Sequence, residues 1–369
     1  MSGELTAAVA LALLRGVDYA PLRAAGARSA DVLALSAREL GAMMGVNADE
    51  ADTLRYQARE RARVEAEFIE RKNLRALTPL SEDYPCRLLE GDAPPRLLTV
   101  CGEADLNAER MLAVVGTRRA TPYGVSATES LLAGLKEGVG DTTVVSGLAY
   151  GIDAAAHAAA LKLEMPTVAV VAHGLGMIYP ASHRDLAARM VSAGGAVVTE
   201  YLHDVKPYRS SFLERNGVIA AISDAVLVVE SAVKGGALST AARGAALGRP
   251  VLAVPGRMTD EASAGTNHLI ATQRGEMVVS ASSIIDALGW KPQKPVSRGR
   301  VSQPSLFPEL TEAQQALVSV LRGHEEPLTV DELTRLSGLP VHVVAAELSE
   351  MEFERVVLRW PGSRFQLSR

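Results

Sequence analysis

Apolar residues recur at helical spacing in the first part of the chain, up to about residue 75. The repeats are Leu11, Leu13 and Leu14, then Val32, Leu33 and Leu35, and then Leu40, Met43 and Met44. Apolar positions three and four apart predict amphipathic helices. Ser36 followed by Glu39 fits a capping box that would start one of them. The pattern predicts a bundle of short helices that ends in a longer, charged helix over about 48–73.

The pattern changes between about Thr78 and Leu288, where short continuous apolar runs alternate with Ala-rich stretches. Such runs are typical of parallel strands that are covered on both faces. The helical stretches between them indicate βαβ crossovers and a doubly wound α/β sheet. The predicted strands are Leu112–Val115, Thr143–Ser146, Thr167–Val171, Ala196–Thr199, Ala225–Val229, Val251–Val254 and Met277–Val279.

Residues 291–309 are predicted to form a basic, flexible linker. The segment is rich in proline and serine, which keep it from packing, and it has no acidic residue before Glu309. Such a segment is typical of a soluble tether, although its charge also suits it to help a nearby site hold phosphates. Its cations are Lys291, Lys294, Arg298 and Arg300.

Residues 310–369 are predicted to form a third unit with three helices followed by a hairpin, the pattern of a winged helix. The candidate recognition helix, Val341–Met351, contains glutamates but no lysine or arginine, whereas phosphates and guanines call for cations. We therefore favour protein contacts or weak duplex binding for this unit. The predicted elements are Glu312–Leu321, Val330–Ser337, Pro340–Met351, Arg355–Arg359 and Arg364–Leu367.

The composition is that of an ordinary soluble protein, because 48% of the 369 residues are hydrophobic and 22% are charged. This length predicts two or three domains. The net charge of -5 means that any nucleic-acid site must be a local basic patch on an acidic protein. Cys86 and Cys101 do not form a CxxC pair and indicate a reducing, cytoplasmic setting. The apolar run Leu5–Leu14 is too short to span a bilayer, so no membrane segment or signal peptide is predicted.

Candidate nucleic-acid chemistry is concentrated in the segment Tyr208–Asn216. Arg209, Phe212 and Arg215 recur every three residues, so a turn or a helix start would place them near one face. Cations that bind phosphates, beside an aromatic ring that stacks on a base, suit single-stranded nucleic acid. The alternative is that Phe212 belongs to the core and that the arginines pair with acidic neighbours. Those neighbours are Glu200, Asp204 and Glu214.

A loop that follows the first long apolar run, Val114–Gly124, is a candidate anion site. Gly116 permits a tight turn, and the backbone amides of Thr117 to Arg119 would face an anion at the start of a helix. Arg118 or Arg119 would add a charge-assisted contact. The alternative is a plain turn that carries a surface arginine.

Later glycine-containing loops repeat this arrangement. In Val228–Ala241, Lys234 and two glycines precede a helix, which predicts a second anion-ready helix start. In Ser146–His157, Asp153 and His157 lie four apart on one helical face. That spacing can support a metal or an acid/base pair, but we favour a hydrogen-bonded structural pair because no third ligand is near.

The ordered loops resemble the DprA/Smf family of DNA-processing proteins, over about Tyr84 to Gly289. The motifs, in order, are GTR, SGxAxGID, GxGxxYP, FxxRN, GGxxSTA and PGx(8)GTNxLI. The resemblance implies an extended Rossmann-like, mostly parallel sheet over 78–290. It also implies a SAM-like helical domain over 1–77 and a winged-helix-like domain over 310–369.

The resemblance implies a protein that binds single-stranded DNA, acts as a homodimer, protects incoming strands and loads RecA recombinase onto them in natural transformation and recombination. Single-strand binding protein and duplex DNA are further candidate partners. No chemical reaction is implied, so we expect no catalytic residue, cofactor or metal. The alternative is a Rossmann enzyme of the phosphoribohydrolase type that processes nucleotides or sugar phosphates. Glu230, or Asp153 with His157, would then be the acid/base groups, although the PGGxGT loop of such enzymes is absent.

The resemblance assigns roles within the predicted site. Arg118 would grip a phosphate, Phe212 would stack on a base, and Lys234 would share the phosphate contacts. Gly217 stands where the family commonly has a second arginine, in R-N-R, so one phosphate contact would be lost or moved. The predicted single-stranded DNA site comprises Gly116, Thr117, Arg118, Ser146, Gly147, Arg209, Phe212, Arg215, Asn216, Lys234, Gly235 and Gly236.

Overall fold

The structure is a computed structural model that describes residues 3–91, 93–291, 311–324, 326–353, 356–360 and 362–367. The chain divides into two compact units, Met1–Lys294 and Pro295–Arg369. The predicted linker lies outside the described residues except for Lys291. The predicted boundary between helical and α/β domains, at residue 77, falls inside the first unit and stays a prediction.

Within the described residues before the first strand, five α-helices form the bundle that the apolar spacing predicts. Helices α1 to α5 are Gly3–Leu13, Tyr19–Ala24, Ser29–Leu33, Ala37–Met44 and Ala48–Arg71. Ser36 and Glu39 form the predicted capping box, in which the backbone amide of Ser36 donates to the Glu39 carboxylate at 2.9 Å. The side chain of Asn47 caps α5. The bundle core includes Leu11, Leu14, Leu40 and Ile69.

A sheet that contains nine strands among the described residues forms the centre of the first unit, in the order β1-β2-β6-β5-β4-β3-β7-β8-β9. Its strands in chain order are Arg75–Leu77, Leu98–Gly102, Met111–Val115, Thr143–Ser146, Thr167–Val170, Ala196–Thr199, Ala225–Val228, Val251–Ala253 and Glu276–Met277. Strands β3 to β9 pair in parallel, whereas β2 pairs antiparallel with β1 and β6. The predicted mostly parallel sheet is confirmed.

Helices cover both faces of this sheet, as a doubly wound fold requires. Helices α6 to α12 are Pro122–Val139, Ile152–Lys162, Arg184–Ser192, Arg209–Ala221, Gly236–Ala246, Ala264–Ala271 and Ala281–Ala287. Alternate residues of β3 point into two separate cores, with Ala113 and Val115 in one and Leu112 and Val114 in the other. Both faces of the strand are therefore buried, which explains its continuous apolar run.

The strand order places a topological switch point beside β3. After β3 the chain moves outward through β4, β5 and β6, and it then returns to β7 on the other side of β3. Ligands of open α/β sheets bind outside the carboxyl ends of the strands at such a point. The predicted site residues lie at the end of β4, in the loops that follow these strands, and in the helices α9 and α10 that those loops reach.

Helix α5 contacts the segment that joins β6 to α9. Glu65 is fully buried, and its carboxylate accepts hydrogen bonds from the backbone nitrogen of His203 at 3.0 Å and from its Nδ1 at 2.6 Å. The rings of Phe68 and His203 stack with centroids 4.4 Å apart. One end of the 200–208 segment is therefore fixed by α5, and its other end enters α9.

The second unit confirms the predicted winged-helix order. Its helices α13 to α15 are Glu312–Arg322, Val330–Ser337 and Val341–Phe353. Its strands β10 to β12 are Leu328–Thr329, Val357–Trp360 and Arg364–Leu367, in the sheet order β10-β12-β11. A core that includes Leu317, Leu333, Leu348 and Phe365 joins helices and strands.

Candidate nucleic-acid interface

Loops at the carboxyl ends of β3, β4 and β7 enclose a pocket of about 620 Å³ with the first turns of α9 and α10. Of the described residues, those that were predicted for the site and line this pocket are Gly116, Thr117, Arg118, Arg209, Phe212, Arg215, Asn216, Gly235 and Gly236. Gly147 lines a smaller cleft beside it. Ser146 is buried, and Lys234 is exposed next to Gly235.

Arg215 is a buried residue that holds the site together. Its Nη1 donates to the backbone oxygens of Gly147 at 2.6 Å and Val170 at 2.7 Å, and its Nε donates to Oδ1 of Asn216 at 3.2 Å. Burial raises the pKa of the Asp153 carboxyl and lowers the pKa of Arg215, and each group opposes the shift of the other. Arg215 therefore ties the ends of β4 and β5 to α9, while Arg209 stays exposed.

Phe212 lies half-buried on α9 with cations near its ring. The guanidinium carbon of Arg118 lies 5.0 Å from the ring centroid and that of Arg215 lies 5.9 Å away. Tyr179 meets the ring edge-on, with centroids 6.1 Å apart. Phe212 is absent from the hydrophobic cores of the described residues. The alternative that it is a core residue is therefore wrong.

The alternative ion pairs of this segment are also absent from the described residues. Asp204 pairs with Arg61, and the hydroxyl of Tyr201 donates to Glu214 at 2.6 Å. Among the described residues, none of Glu200, Asp204 and Glu214 forms an ion pair with Arg209 or Arg215. The exposed guanidinium of Arg209 is therefore available at the rim of the pocket.

The start of α10 lies at the pocket and leaves helix amides without a side-chain cap. Gly235 is the N-cap residue of this helix and offers no side-chain cap, and Gly235 and Gly236 both line the pocket. Uncapped amides at a helix start and the positive end of the helix dipole favour anions. Asn216 links α9 to this turn, because its Nδ2 donates to the backbone oxygen of Gly236 at 3.4 Å. The predicted helix start is present at Gly236, and its binding of an anion stays a prediction.

The loop after β3 differs from its prediction. The amide of Thr117 donates to the backbone oxygen of Glu230 at 2.8 Å, and the amide of Arg119 donates to Oγ1 of Thr117 at 3.2 Å. Helix α6 begins only at Pro122. The amides of Thr117 and Arg119 are already bonded, so the prediction that they face an anion at a helix start is wrong. The loop instead contributes the exposed side chain of Arg118.

Ser146 and Gly147, two predicted residues at the end of β4, support the site through packing and a hydrogen bond. Ser146 Oγ donates to the backbone oxygen of Val114 at 2.6 Å. A Cβ added at Gly147 would lie 2.6 Å from Cζ of Arg215, so only glycine leaves room for that guanidinium. On α9, a Cβ added at Gly217 would meet no described atom within 4 Å. The backbone at Gly217 therefore leaves space for the second arginine that the family commonly has at this position.

The predicted pair of Asp153 and His157 is wrong. The Asp153 carboxylate accepts from the amide of Gly147 at 3.1 Å, whereas Nδ1 of His157 bonds with Oγ1 of Thr167 at 2.7 Å. Burial lowers the pKa of His157 to about 3, so the ring is neutral near neutral pH. In the part of the chain that the structure describes, no cluster of His, Cys, Asp or Glu side chains could hold a metal ion.

Three exposed tyrosines beside Phe212 were missing from the predicted site. They are Tyr150, Tyr179 and Tyr208. Tyr150 and Tyr179 line the small cleft that Arg118 and Phe212 also line. A signal was available in the sequence, because these tyrosines follow three neighbouring strands at the same edge of the predicted sheet.

The doubly wound sheet defines a Rossmann-like protein, and the chain also has a winged helix. The pocket at the switch point combines arginines with an aromatic ring, which suits an anionic ligand with flat rings. The chain belongs to the family described as DNA recombination-mediator protein A, which matches residues 75–289. Residues 302–363 match the DprA winged helix domain. The predicted resemblance and fold class are thereby confirmed.

Known relatives cover most of the chain. Protein Smf of Escherichia coli K12 is 35% identical over 313 residues, which are 82% of this chain and 80% of that protein. The X-ray structure of DNA processing protein A from Streptococcus pneumoniae matches with a TM-score of 0.60 and 30% identity, over 68% of this chain and 86% of that one. A structure that describes the single-stranded DNA binding mode of DNA processing protein A from Helicobacter pylori matches with a TM-score of 0.52 and 28% identity, over 58% and 95%.

No helix among the described residues is long and apolar enough to cross a membrane.

Proposed function

We propose that this chain binds single-stranded DNA in the switch-point pocket, protects incoming strands and loads RecA recombinase onto them in natural transformation and recombination, as a cytoplasmic homodimer. The observation that carries the proposal is the half-buried ring of Phe212, which lines the pocket with the Arg118 guanidinium 5.0 Å from its centroid. An aromatic face beside a cation suits a base and its phosphate. The binding mode described for the Helicobacter pylori relative supports the same ligand.

Each group of the pocket has a distinct part in this proposal. Phe212 stacks on a base, and the exposed cations Arg118, Arg209 and Lys234 contact phosphates. The start of α10 receives a further phosphate oxygen. Arg215 is a positioning residue, because its guanidinium is already bonded to backbone oxygens of β4 and β5. The proposed contacts are with phosphates and base faces, so binding should depend little on sequence.

We propose binding rather than chemistry because the candidate acid/base groups Glu230, Asp153 and His157 are buried and hydrogen-bonded within the protein. Glu230 is buried and accepts from the amide of Thr121 at 2.9 Å. The Asp153 carboxylate accepts from two backbone amides, those of Gly147 and Ala149. His157 is buried and bonds with Thr167. These bonds disfavour the alternative of a nucleotide-processing enzyme, and incubation with nucleoside monophosphates should release no free base.

The proposal predicts that Phe212→Ala weakens the binding of a labelled oligothymidine. Loss of one stacked base should cost about 1–3 kcal/mol, or on the order of 10- to 100-fold in Kd. Fluorescence anisotropy measures Kd, and Phe212→Tyr should bind close to wild type because it keeps the ring. Tyr56→Ala removes an exposed aromatic side chain from α5 and should change nothing.

Loading of RecA is measured separately, as the rate at which RecA begins ATP hydrolysis on DNA coated with single-strand binding protein. The wild-type protein should shorten the lag and Phe212→Ala should not. A wild-type protein that leaves oligothymidine unbound would refute the proposed site. Tight binding without a shorter lag would refute only the loading role.

A further inference from the structure

Exposed aromatic rings are concentrated at one edge of the sheet. Aromatic residues are only 4% of the chain, yet the loops that follow the adjacent strands β4, β5 and β6 each lead to a tyrosine that is 44–49% exposed. These residues are Tyr150, Tyr179 and Tyr208. The strand order β6-β5-β4 therefore arranges the three loops side by side at the carboxyl edge. Adjacent strands lie about 4.8 Å apart, so neighbouring loops are within reach of one ligand.

Tyr150 and Tyr179 are continuous with the Phe212 pocket, and Tyr208 lies close to it along the chain. The rings of Tyr179 and Phe212 meet with centroids 6.1 Å apart and planes inclined by 60°. Tyr150, Tyr179, Phe212 and Arg118 line one small cleft. Tyr208 is the N-cap residue of α9, one helical turn before Phe212. A strand that reaches Phe212 would therefore meet the rings of Tyr150 and Tyr179 as it leaves the pocket.

Contacts within the protein hold these rings in place without burying them. The hydroxyl of Tyr150 lies 3.0 Å from Oγ of Ser182, and its ring meets His183 edge-on with centroids 4.9 Å apart. The ring of Tyr208 meets that of Tyr201 edge-on at 6.2 Å. Rings that are already ordered lose little side-chain entropy when a ligand binds.

The chemistry of this edge suits nucleobases joined by phosphates. Exposed cations lie at the same edge of the sheet: Arg118 follows β3, Arg184 begins α8, and Arg209 begins α9. Flat apolar faces that alternate with cations bind single strands with little regard to sequence, because every base has a face that can stack.

We propose that Tyr150, Tyr179 and Tyr208 form a base-stacking track that extends the Phe212 pocket, so that the site binds several consecutive nucleotides of single-stranded DNA. This inference rests on the proposed function of the pocket. It assigns new subsites to the loops after β4, β5 and β6. The occupant is the same strand, on the nucleotides that flank the one at Phe212.

The test measures Kd as a function of oligothymidine length. Wild-type affinity should rise with length until all subsites are filled. Tyr179→Ala and Tyr150→Ala should each weaken the binding of the longer oligonucleotides on the order of 10-fold. They should change little for the shortest oligonucleotide that still binds, whereas Phe212→Ala should weaken binding at every length.

Two controls separate stacking from other effects. Tyr179→Phe and Tyr150→Phe keep the ring and should retain wild-type affinity, which would not hold if the hydroxyl groups carried the contact. A strand with abasic positions should bind wild type and Tyr179→Ala equally, because it has no bases to stack. Tyr56→Ala is the matched control, because it removes an exposed tyrosine from α5, and it should not change DNA affinity.

The possible results distinguish this inference from the proposed function. If Phe212→Ala weakens binding but the tyrosine variants bind long oligonucleotides as wild type does, the track is refuted and the pocket stands. If the tyrosine variants weaken binding equally at all lengths, the rings do not form successive subsites. If wild type binds no single-stranded DNA, both are refuted.

Discussion

Glu200 is a carboxyl group whose protonation is tied to the folded state. It lies at the end of β6, before the segment that leads to α9. Burial, and then the charge of Glu214, raises its pKa to about 7. Its Oε1 has no hydrogen-bond partner among the described residues. Ionisation of Glu200 is therefore unfavourable in the folded protein.

The raised pKa of Glu200 predicts how the free energy of unfolding changes with pH. A glutamate titrates near 4.5 in the unfolded chain and Glu200 near 7 in the folded one, so the folded state binds more protons between these values. The free energy of unfolding should therefore fall as the pH rises through this window. Glu200→Gln removes that loss and should be more stable than wild type by about 1–3 kcal/mol at about pH 8, with a much smaller difference at about pH 5.

Urea unfolding of both proteins at the two pH values measures this difference. Glu82→Gln, at an exposed position, should show no such dependence on pH. A stability difference between Glu200→Gln and wild type that is equal at both pH values would show that the ionisation of Glu200 does not cause it.

Single residues also show the limit of prediction from spacing. The three-residue repeat of Arg209, Phe212 and Arg215 indicated a shared face, and all three line one pocket. The burial of each side chain could not be predicted. Arg215 is buried and donates to the backbone oxygens of Gly147 and Val170, which are distant in sequence, while Arg209 is exposed. Spacing within a helix specifies direction around its axis, whereas burial depends on what the rest of the fold brings to that face.

Helix α5 is the element that holds the approach to the site. Glu65 accepts hydrogen bonds from the backbone nitrogen and Nδ1 of His203, and Phe68 stacks on the same ring. His203 lies in the segment that leads into α9. The order of α9 and of Phe212 on it should therefore depend on a contact made by the N-terminal bundle.

This contact predicts that Glu65→Ala destabilises the protein and also weakens single-stranded DNA binding. Loss of a buried acceptor leaves the His203 donors unpaired, which should cost about 2–4 kcal/mol of unfolding free energy. Thermal unfolding and oligothymidine titration at a temperature where the variant is folded measure the two effects. Glu67→Ala, at an exposed position on the same helix, should change neither. Normal DNA affinity in a folded Glu65→Ala would show that α5 does not position the site.

At the scale of elements, apolar runs predicted the parallel strands β3 to β8 well because the residues of each are buried. The strand predicted at Met277–Val279 is instead the exposed pair Glu276–Met277. The antiparallel strands β1 and β2 were not predicted. Strand β1 has only three residues, two of them partly exposed, so it has no clear period. Its strand character comes from pairing with β2, which local sequence does not contain.

The whole molecule combines an acidic net charge of -5 with a pocket whose accessible cations lie close together. The exposed cations at or beside the pocket include Arg118, Arg209 and Lys234. Attraction over long distances should therefore be weak, and binding should depend on short-range contacts with a few phosphates. Each such contact releases counterions from the DNA. The slope of log affinity against log salt concentration is therefore proportional to the number of phosphate contacts.

Three phosphate contacts predict a slope of about -2 for log affinity against log salt concentration, since each contact on a single strand contributes about -0.7. Arg118→Ala should weaken binding and make the slope shallower by about 0.7, because one contact is lost. Phe212→Ala should weaken binding without changing the slope, since stacking displaces no counterions. Arg63→Ala, an exposed cation on α5, is the control for net charge. An unchanged slope in Arg118→Ala would mean that the guanidinium of Arg118 contacts the Phe212 ring but no phosphate. The phosphates would then have to lie at Arg209, Lys234 or the start of α10.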